Sequence, residues 1–289
     1  MEHVDLHCHS TASDGEYPPA EVARRAKAAG LAAFALTDHD TTAGITEAAR
    51  AAESLGVRLV VGCEFSVKAP WGELHLLGYF LPVGNPALEG FLDGTRAARQ
   101  RRANQIVVRL QRLGVAIGLA DVERAAGGGA MGRPHVARVL VERGASIDMN
   151  DAFRSYLGRG RPAYVEKPLP TLPQVADLVH AVGGMLVAAH LGDHGTEGQI
   201  RQFQEQGLDG LEVRHPSHAV GTERRLTAIA ARLGLAISGG SDWHGDSDFG
   251  DSHAPLGGME VPLEWLEKLD QRRATASRDA VAPDRRAEP

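Results

Sequence analysis

The sequence predicts an α/β fold: a parallel sheet covered by helices, either open or closed into a barrel. Three observations predict it. Short apolar segments alternate with amphipathic ones along most of the 289 residues, the pattern of repeated β-α units. The strand-like segments are apolar, as strands covered by helices are. Histidines and carboxylates recur where those strands end, and parallel α/β folds gather functional groups where their C-terminal strand ends meet.

The first strand is the run Val4-Asp5-Leu6, followed by a helix in "PPAEVARRAKAAG" (18–30) and a strand in "AAFALTDHD" (32–40). The helix "GITEAARAAESLG" (44–56) leads to strands "VRLVVGCEFSV" (57–67) and "GELHLLGYFL" (72–81). Farther on, "AVGGMLVAAHL" (181–191), "LDGLEVRH" (208–215) and "LAISGGSDWH" (235–244) read as strands. The helices "GQIRQFQEQG" (198–207) and "GTERRLTAIAARLG" (221–234) lie between them. Residues 96–162 break the rhythm with successive helical segments and no strand. The expected organisation is a barrel-like scaffold from 1–95 and 163–270, a helical insertion domain at 96–162, and a mobile tail at 271–289. That tail is rich in Arg, Ala, Asp and Pro.

Composition bounds the function. A hydrophobic fraction of 43% and a charged fraction of 24% are those of a soluble globular protein, and the chain is long enough to bury a substantial core. The formal charge of -6 argues against a general polyanion binder. Met1-Glu2-His3 leads straight into the first strand, so no signal peptide is expected, and no apolar run approaches the roughly 20 residues of a membrane span. The two cysteines, Cys8 and Cys63, form no disulfide framework, and a cytoplasmic location is expected. Both read as buried small apolar residues rather than nucleophiles. Thirteen histidines against four tyrosines and three tryptophans direct the search to metals.

In "VDLHCHSTASDG", strand alternation points His7 and His9 the same way and Cys8 the other. Neutral imidazole is the commonest protein metal ligand. Asp14 follows, and the later strands end in Asp38, His39 and Asp40, in Glu64, in His190 and His194, in His215 and His218, and in Asp242 and His244. His75 lies on the strand after Glu64. Nitrogen and carboxylate donors without sulfur favour Mn, Fe or Zn over Mg or Ca. So many ligands exceed the needs of one ion, and Glu64 is the candidate bridging carboxylate.

"DLHCHSTASDG", "LTDHDT", "GCEFS", "ELHLLGY", "AAH" and "GSDWH", in this order, resemble the polymerase and histidinol phosphatase (PHP) superfamily. The resemblance covers nearly the whole chain. It implies a distorted seven-stranded, TIM-like (β/α) barrel with an all-helical insertion, and a site for two to three divalent ions, Mn2+ first and Fe or Zn as alternatives. Carried over, a first ion takes His7, His9, Glu64 and Asp242, a second Glu64, His75 and His190, and a third Asp14, His39 and His244. Asp14 stands where some relatives have a histidine.

The insertion, with "GRPHVARVLVERG" and "AFRSYLGRGRPAYV", resembles the branch of nucleoside 3′,5′-bisphosphate phosphatases, some of which trim RNA 5′ ends. The implied partner is a phosphorylated nucleotide or short RNA, with no membrane and no obligate protein partner. Arg133 offers a guanidinium fork that matches phosphate oxygens, and a helical insertion over a barrel mouth suits a lid. Ser10 is a candidate phosphate donor, and His135, His194, His215 and His218 are candidate substrate contacts. The expected reaction is in-line attack of a metal-activated water on phosphorus. Asp242, His244, His194 and Arg133 are its candidate catalytic groups, and His244 or His194 is a candidate proton donor to the leaving oxygen. His3, His180 and His253 carry no motif and read as structural. Histidinol phosphate as substrate is the rival within this class. An amidohydrolase is a second rival, disfavoured because no lysine takes the bridging place of Glu64. A non-catalytic metal-binding module is the rival outside it.

Overall fold

A computed structural model describes residues 2–129, 131–246 and 254–281; His253 and residues 282–289 lie outside them. The chain opens with β1 (His3–Cys8), α1 (Pro19–Ala28), β2 (Ala33–Leu36), α2 (Ile45–Leu55) and the long hairpin β3 (Arg58–Ala69) and β4 (Gly72–Tyr79). Four helices follow without a strand: α3 (Pro86–Arg112), α4 (Leu119–Ala126), α5 (Arg133–Glu142) and the short α6 (Met149–Ala152), which runs into a wide turn at Phe153–Leu157. The alternation then resumes with α7 (Leu172–Ala181), β5 (Met185–Ala188), α8 (Glu197–Glu205), β6 (Gly210–Arg214), α9 (Val220–Leu233) and β7 (Ala236–Gly239). A two-residue β8 (Val261–Pro262) and α10 (Leu263–Val281) end the described chain.

The sheet runs in the order β7-β6-β5-β4-β3-β2-β1-β8. β1, β2 and β3 are parallel, as are β5, β6 and β7, while β4 is antiparallel to both its neighbours. Tight hairpins join antiparallel strands without a helix, which is why "APWG" directly connects β3 and β4 and one helix of an ideal (β/α) barrel is absent. The sheet curls until its ends approach: Cys8 bridges Trp243, and His9 N–H donates to the Trp243 carbonyl at 2.9 Å. β1–β7 thus form the seven barrel strands, and β8 is a short addition beside β1.

Val4, Leu6, Ala35, Leu77, Tyr79 and Val187 share one buried cluster with Leu266 and Leu269 of α10, and the Tyr79 hydroxyl donates to the Leu6 carbonyl at 2.8 Å. Phe65, Leu76, Val175, Leu186 and Ile229 pack between sheet and covering helices. The helices at 96–162 hold a separate cluster that includes Ile106, Leu110, Val136, Leu140 and Leu157. α3 starts ten residues ahead of 96, because the Asn85 side chain caps it, accepting from Ala87 and Leu88 N–H at 3.0 and 3.2 Å. Its first turns place Leu88 and Leu92 against the barrel, and its last turns place Ile106 and Leu110 in the inserted helices.

Two elements escaped the sequence reading. α7 begins with a reciprocal cap, Thr171 N–H donating to Gln174 at 2.9 Å. α10 continues through 271–281, where a mobile tail was expected. No described helix is long and apolar enough to cross a membrane.

Candidate active site

The histidines and carboxylates of the strand ends meet at one end of the barrel. β1 delivers His7 and His9, both fully buried, with ring centroids 5.2 Å apart. Asp5, on the same strand, accepts from the backbone N–H of Ser241 at 3.0 Å and of Gly257 at 2.8 Å, pinning the segment that carries Asp242 against β1. The approach is so close that a Cβ at Gly240 would sit 2.4 Å from the His7 Cβ, so only glycine fits there. His190 and Asp242 both have left-handed backbone, with φ of 31° and 50°. Such conformations cost about 1–3 kcal/mol and collect at functional sites.

Glu64 is the hub. Its Oε1 lies 2.9 Å from His75 Nδ1 and 3.2 Å from His190 Nε2. Its Oε2 lies 2.9 Å from His39 Nδ1, 3.3 Å from His9 Nε2 and 3.5 Å from His7 Nε2. Asp242 Oδ1 is 3.2 Å from Nε2 of both His7 and His9. Asp14 faces His244 Nε2 at 3.4 Å and His39 Nε2 at 3.9 Å. All nine predicted ligands therefore converge. His39, assigned from the sequence to Asp14 and His244, also reaches Glu64, and among the described residues His39, Glu64 and His75 form one of the groupings compact enough for a cation.

The donor chemistry fits cations. His7 Nδ1 is 2.9 Å from Glu212 Oε1; an ionised carboxylate only accepts, so Nδ1 carries the proton. His7 Nε2 then presents a lone pair toward the oxygens of Glu64 and Asp242. Acceptors facing acceptors at such distances repel unless a cation lies between them. Accordingly His7 Nε2, His9 Nε2, Asp14 Oδ1, His39 Nδ1 and Glu64 Oε2 are buried without a hydrogen-bond partner, although buried polar groups are normally satisfied. Titration reflects the same crowding of carboxylates, which draws protons where it can draw cations. Burial opposes charge on His75, but Glu64 and Glu73 outweigh it and push this imidazole up to about 10. Burial likewise opposes ionisation of Glu64, yet His39, His75 and His7 hold it well below the carboxylate range. Burial and the adjoining His244 bring His9 down to about 3, keeping it neutral.

Several predicted contacts lie elsewhere. Ser10 is a correction: fully buried, it donates its hydroxyl to Asp38 at 2.7 Å and accepts from Ala12 N–H, so it shapes the loop rather than facing substrate. His135 is a second correction, because its Nδ1 caps α5 by accepting from Gly132 N–H at 3.0 Å and the ring is 1% exposed. His218 is a third: Nδ1 donates to the Val213 carbonyl and Nε2 accepts from Gly192 N–H, so both nitrogens are spent on backbone. His215 is buried with Nε2 3.5 Å from Asp242 Oδ2 and without a hydrogen-bond partner, and with His7 and Glu212 it forms another grouping compact enough for a cation. Cys8 and Cys63 are buried free thiols that burial pushes well above their ordinary range.

His194 and Arg133 do reach the cleft. A cavity of about 260 Å³ is lined by Trp71, His75, Arg133, His190 and His194, with the His194 ring stacked 4.2 Å from Trp71. Arg133, at the first turn of α5, also lines an adjoining groove of about 740 Å³ with Lys68, Arg102, Arg159, Tyr164 and Lys167. Glu212 and Glu73 were missed, while Asp38, named only as a strand-end carboxylate, accepts from the hydroxyls of Ser10 and Ser13. Glu212 gave a usable signal, a carboxylate within the apolar strand "GLEVR", since a charge inside a buried strand demands a partner.

A PHP-domain family model matches residues 5–116. A 3′,5′-nucleoside bisphosphate phosphatase from Chromobacterium violaceum is 39% identical over 258 residues, 86% of this chain and 90% of that protein. The chain belongs to the PHP family of phosphoesterases. Another relative, a 5′-3′ exoribonuclease from Haemophilus influenzae, is 35% identical over 83% of this chain and 89% of its own. A crystal structure from Bifidobacterium adolescentis, described as a metal-dependent phosphoesterase, matches with a TM-score of 0.86 at 33% identity, covering 94% of this chain and 96% of that one. Family, fold and donor set agree that this PHP centre binds divalent metal ions.

Proposed function

We propose that this PHP-family chain removes the 3′-phosphate of nucleoside 3′,5′-bisphosphates, and trims short RNA 5′ ends by the same chemistry, using two to three divalent ions of which Mn2+ is the first choice. One observation carries the substrate assignment: Arg133 lines both the cavity beside His75 and His190 and the cationic groove next to it. A ligand with two phosphates can place one against the metal ligands and the other among Arg102, Arg133, Arg159 and Lys68. The relatives named for bisphosphates and RNA support that reading.

His7, His9, Glu64 and Asp242 hold one ion, Glu64, His75 and His190 a second, and Asp14, His39 and His244 a third, with His39 shared toward Glu64. Bound there, the ions supply Lewis acidity, withdrawing charge from phosphoryl oxygens and easing deprotonation of water. The chain's own groups do the rest. The guanidinium of Arg133 orients the phosphate by a charge-assisted fork. The inserted helices wall off the cleft, so its charges act in a medium of low polarity. A water oxygen bonds to phosphorus and gives up one proton to solvent, the bond from phosphorus to O3′ breaks, and O3′ takes up a proton. His194, held flat on Trp71 at the cleft wall, is the group we assign to deliver it. The products are a nucleoside 5′-phosphate and inorganic phosphate.

The test is phosphate release from adenosine 3′,5′-bisphosphate by Mn2+-loaded protein, with the nucleotide product identified and histidinol phosphate run in parallel. Accumulation of 5′-AMP with histidinol phosphate untouched is the expected result. Turnover of histidinol phosphate instead would overturn the reading of the insertion, and silence on both substrates and on 5′-phosphorylated RNA would favour a non-catalytic module.

A further inference from the structure

A chain of charges, buried at Arg99, Asp40 and Lys167 and half-buried at Glu73, runs from the inserted helices into the barrel and ends on one imidazole of the centre. Arg99, on α3, donates from Nε to Asp40 Oδ2 at 2.7 Å, and its Nη2 lies 2.5 Å from the same oxygen. Lys167, on the segment that returns to the barrel, places Nζ 3.6 Å from Asp40 Oδ2 and 2.9 Å from Glu73 Oε1. Glu73 Oε1 in turn lies 3.3 Å from His75 Nε2, while the other nitrogen of that ring, Nδ1, faces Glu64 at 2.9 Å. Asp40 adopts left-handed backbone with φ of 51° and accepts from Ser66 N–H at 3.2 Å, opposite His75 in the β3–β4 pairing.

Two cations and two carboxylates balance in this chain, yet burying charges is costly, and removing one partner leaves another uncompensated. Through its side chains this chain meets the ligand cluster at His75, while the backbone N–H of Asp40 donates to the Glu64 carbonyl at 2.9 Å. A cation displaces one proton from the His75 ring, and the neutral ring that remains has two forms. With the proton on Nε2 it donates to Glu73 and turns a lone pair toward Glu64, the arrangement a cation needs. With the proton on Nδ1 it donates to Glu64 instead, which satisfies both groups without any ion and blocks the position. An ionised Glu73 accepts but cannot donate, so its presence selects the first form.

We propose that Glu73, anchored by Lys167, is a positioning residue for metal binding: its acceptance of the His75 Nε2–H holds the Nδ1 lone pair toward Glu64. This rests on the reading of His75 as a ligand and is independent of the substrate. Outer partners of ligating histidines typically change metal affinity by about 10–100-fold.

The test is calorimetric titration of metal-stripped full-length protein with Mn2+, comparing wild type, Glu73→Ala, Lys167→Met, His75→Ala and the double variant Glu73→Ala/His75→Ala, with thermal melts on the same samples. Glu73→Ala is expected to weaken one class of Mn2+ site by about tenfold or more, and Lys167→Met to weaken the same class to a smaller extent. In the His75→Ala background the added loss from Glu73→Ala should vanish, because a residue acting through another has no separate effect once that one is gone. A fold-wide role would lower the melting temperature and persist in that background. Unchanged Mn2+ affinity in folded Glu73→Ala, or in folded Lys167→Met should the first variant fail to fold, overturns the proposal. If His75→Ala itself binds Mn2+ as wild type does, the ligand assignment of His75 fails instead, which separates the two ideas.

Discussion

Glu212 shows how much of the centre depends on residues that hold no ion. One of its oxygens sets the protonation of His7, and the other accepts the His190 backbone N–H at 2.8 Å. A single carboxylate thereby orients both His7 and His190, which we assign to two different ion positions. Burial raises the cost of its charge, but His7 and His215 still hold it below the carboxylate range. Replacement by Ala frees the His7 ring to take the other tautomer, and the expected outcome is about a 10–100-fold loss of Mn2+-supported phosphate release. Steady-state rates of Glu212→Ala at saturating and limiting Mn2+ check this, and wild-type rates at both would refute it.

Among the elements, α5 links packing to the cleft most directly. Its N-terminus carries Arg133, and its buried face, with Val136, Ala137 and Leu140, anchors the inserted helices. Leu140 is fully buried. Truncating it leaves a cavity that costs about 2–5 kcal/mol, felt within a cluster that shares no residue with the barrel core. Leu140→Ala is therefore expected to lower the denaturation midpoint of the inserted helices while Mn2+ stoichiometry stays at the wild-type value. Denaturant unfolding followed together with metal titration reads both, and a loss of bound Mn2+ at low denaturant would count against separate cores.

Across the whole molecule, the centre is an electrostatic debt that metal settles. Lone pairs and carboxylates from β1, β3, β4 and the segments after β1, β2, β5 and β7 face one another at 2.9 to 3.5 Å. Ions that bind the folded state and not the unfolded one stabilise it by RT ln(1 + [L]/Kd), about 2.7 kcal/mol at a hundredfold excess over Kd. At roughly 2–4 °C per kcal/mol for a chain of this order, saturating Mn2+ should raise the melting temperature by at least about 5 °C, and a chelator should reverse the gain. Differential scanning fluorimetry with Mn2+ and with EDTA decides it; coincident melts would contradict a metal-filled centre.

What the sequence by itself determined was the set of strand-end histidines and carboxylates and the alternation that brings them together. Period-two alternation puts His7 and His9 on one side of β1, and strand ends are where a parallel sheet collects its chemistry, so local pattern and topology were enough. Glu64 as the hub followed from the same logic. Only the tertiary structure decided which neighbours became partners. Ser10, His135 and His218 look like any loop histidine or serine in the sequence. Whether their polar atoms face a cleft or a backbone amide depends on segments far away in the chain, such as Asp38 beside Ser10 and Val213 beside His218. Glu73 was hidden for the same reason, and Glu212, a carboxylate in an apolar strand, signalled that it needed a partner without saying which. A carboxylate acquires a meaning only from the group it faces, and that pairing is set by the packing of the closed barrel.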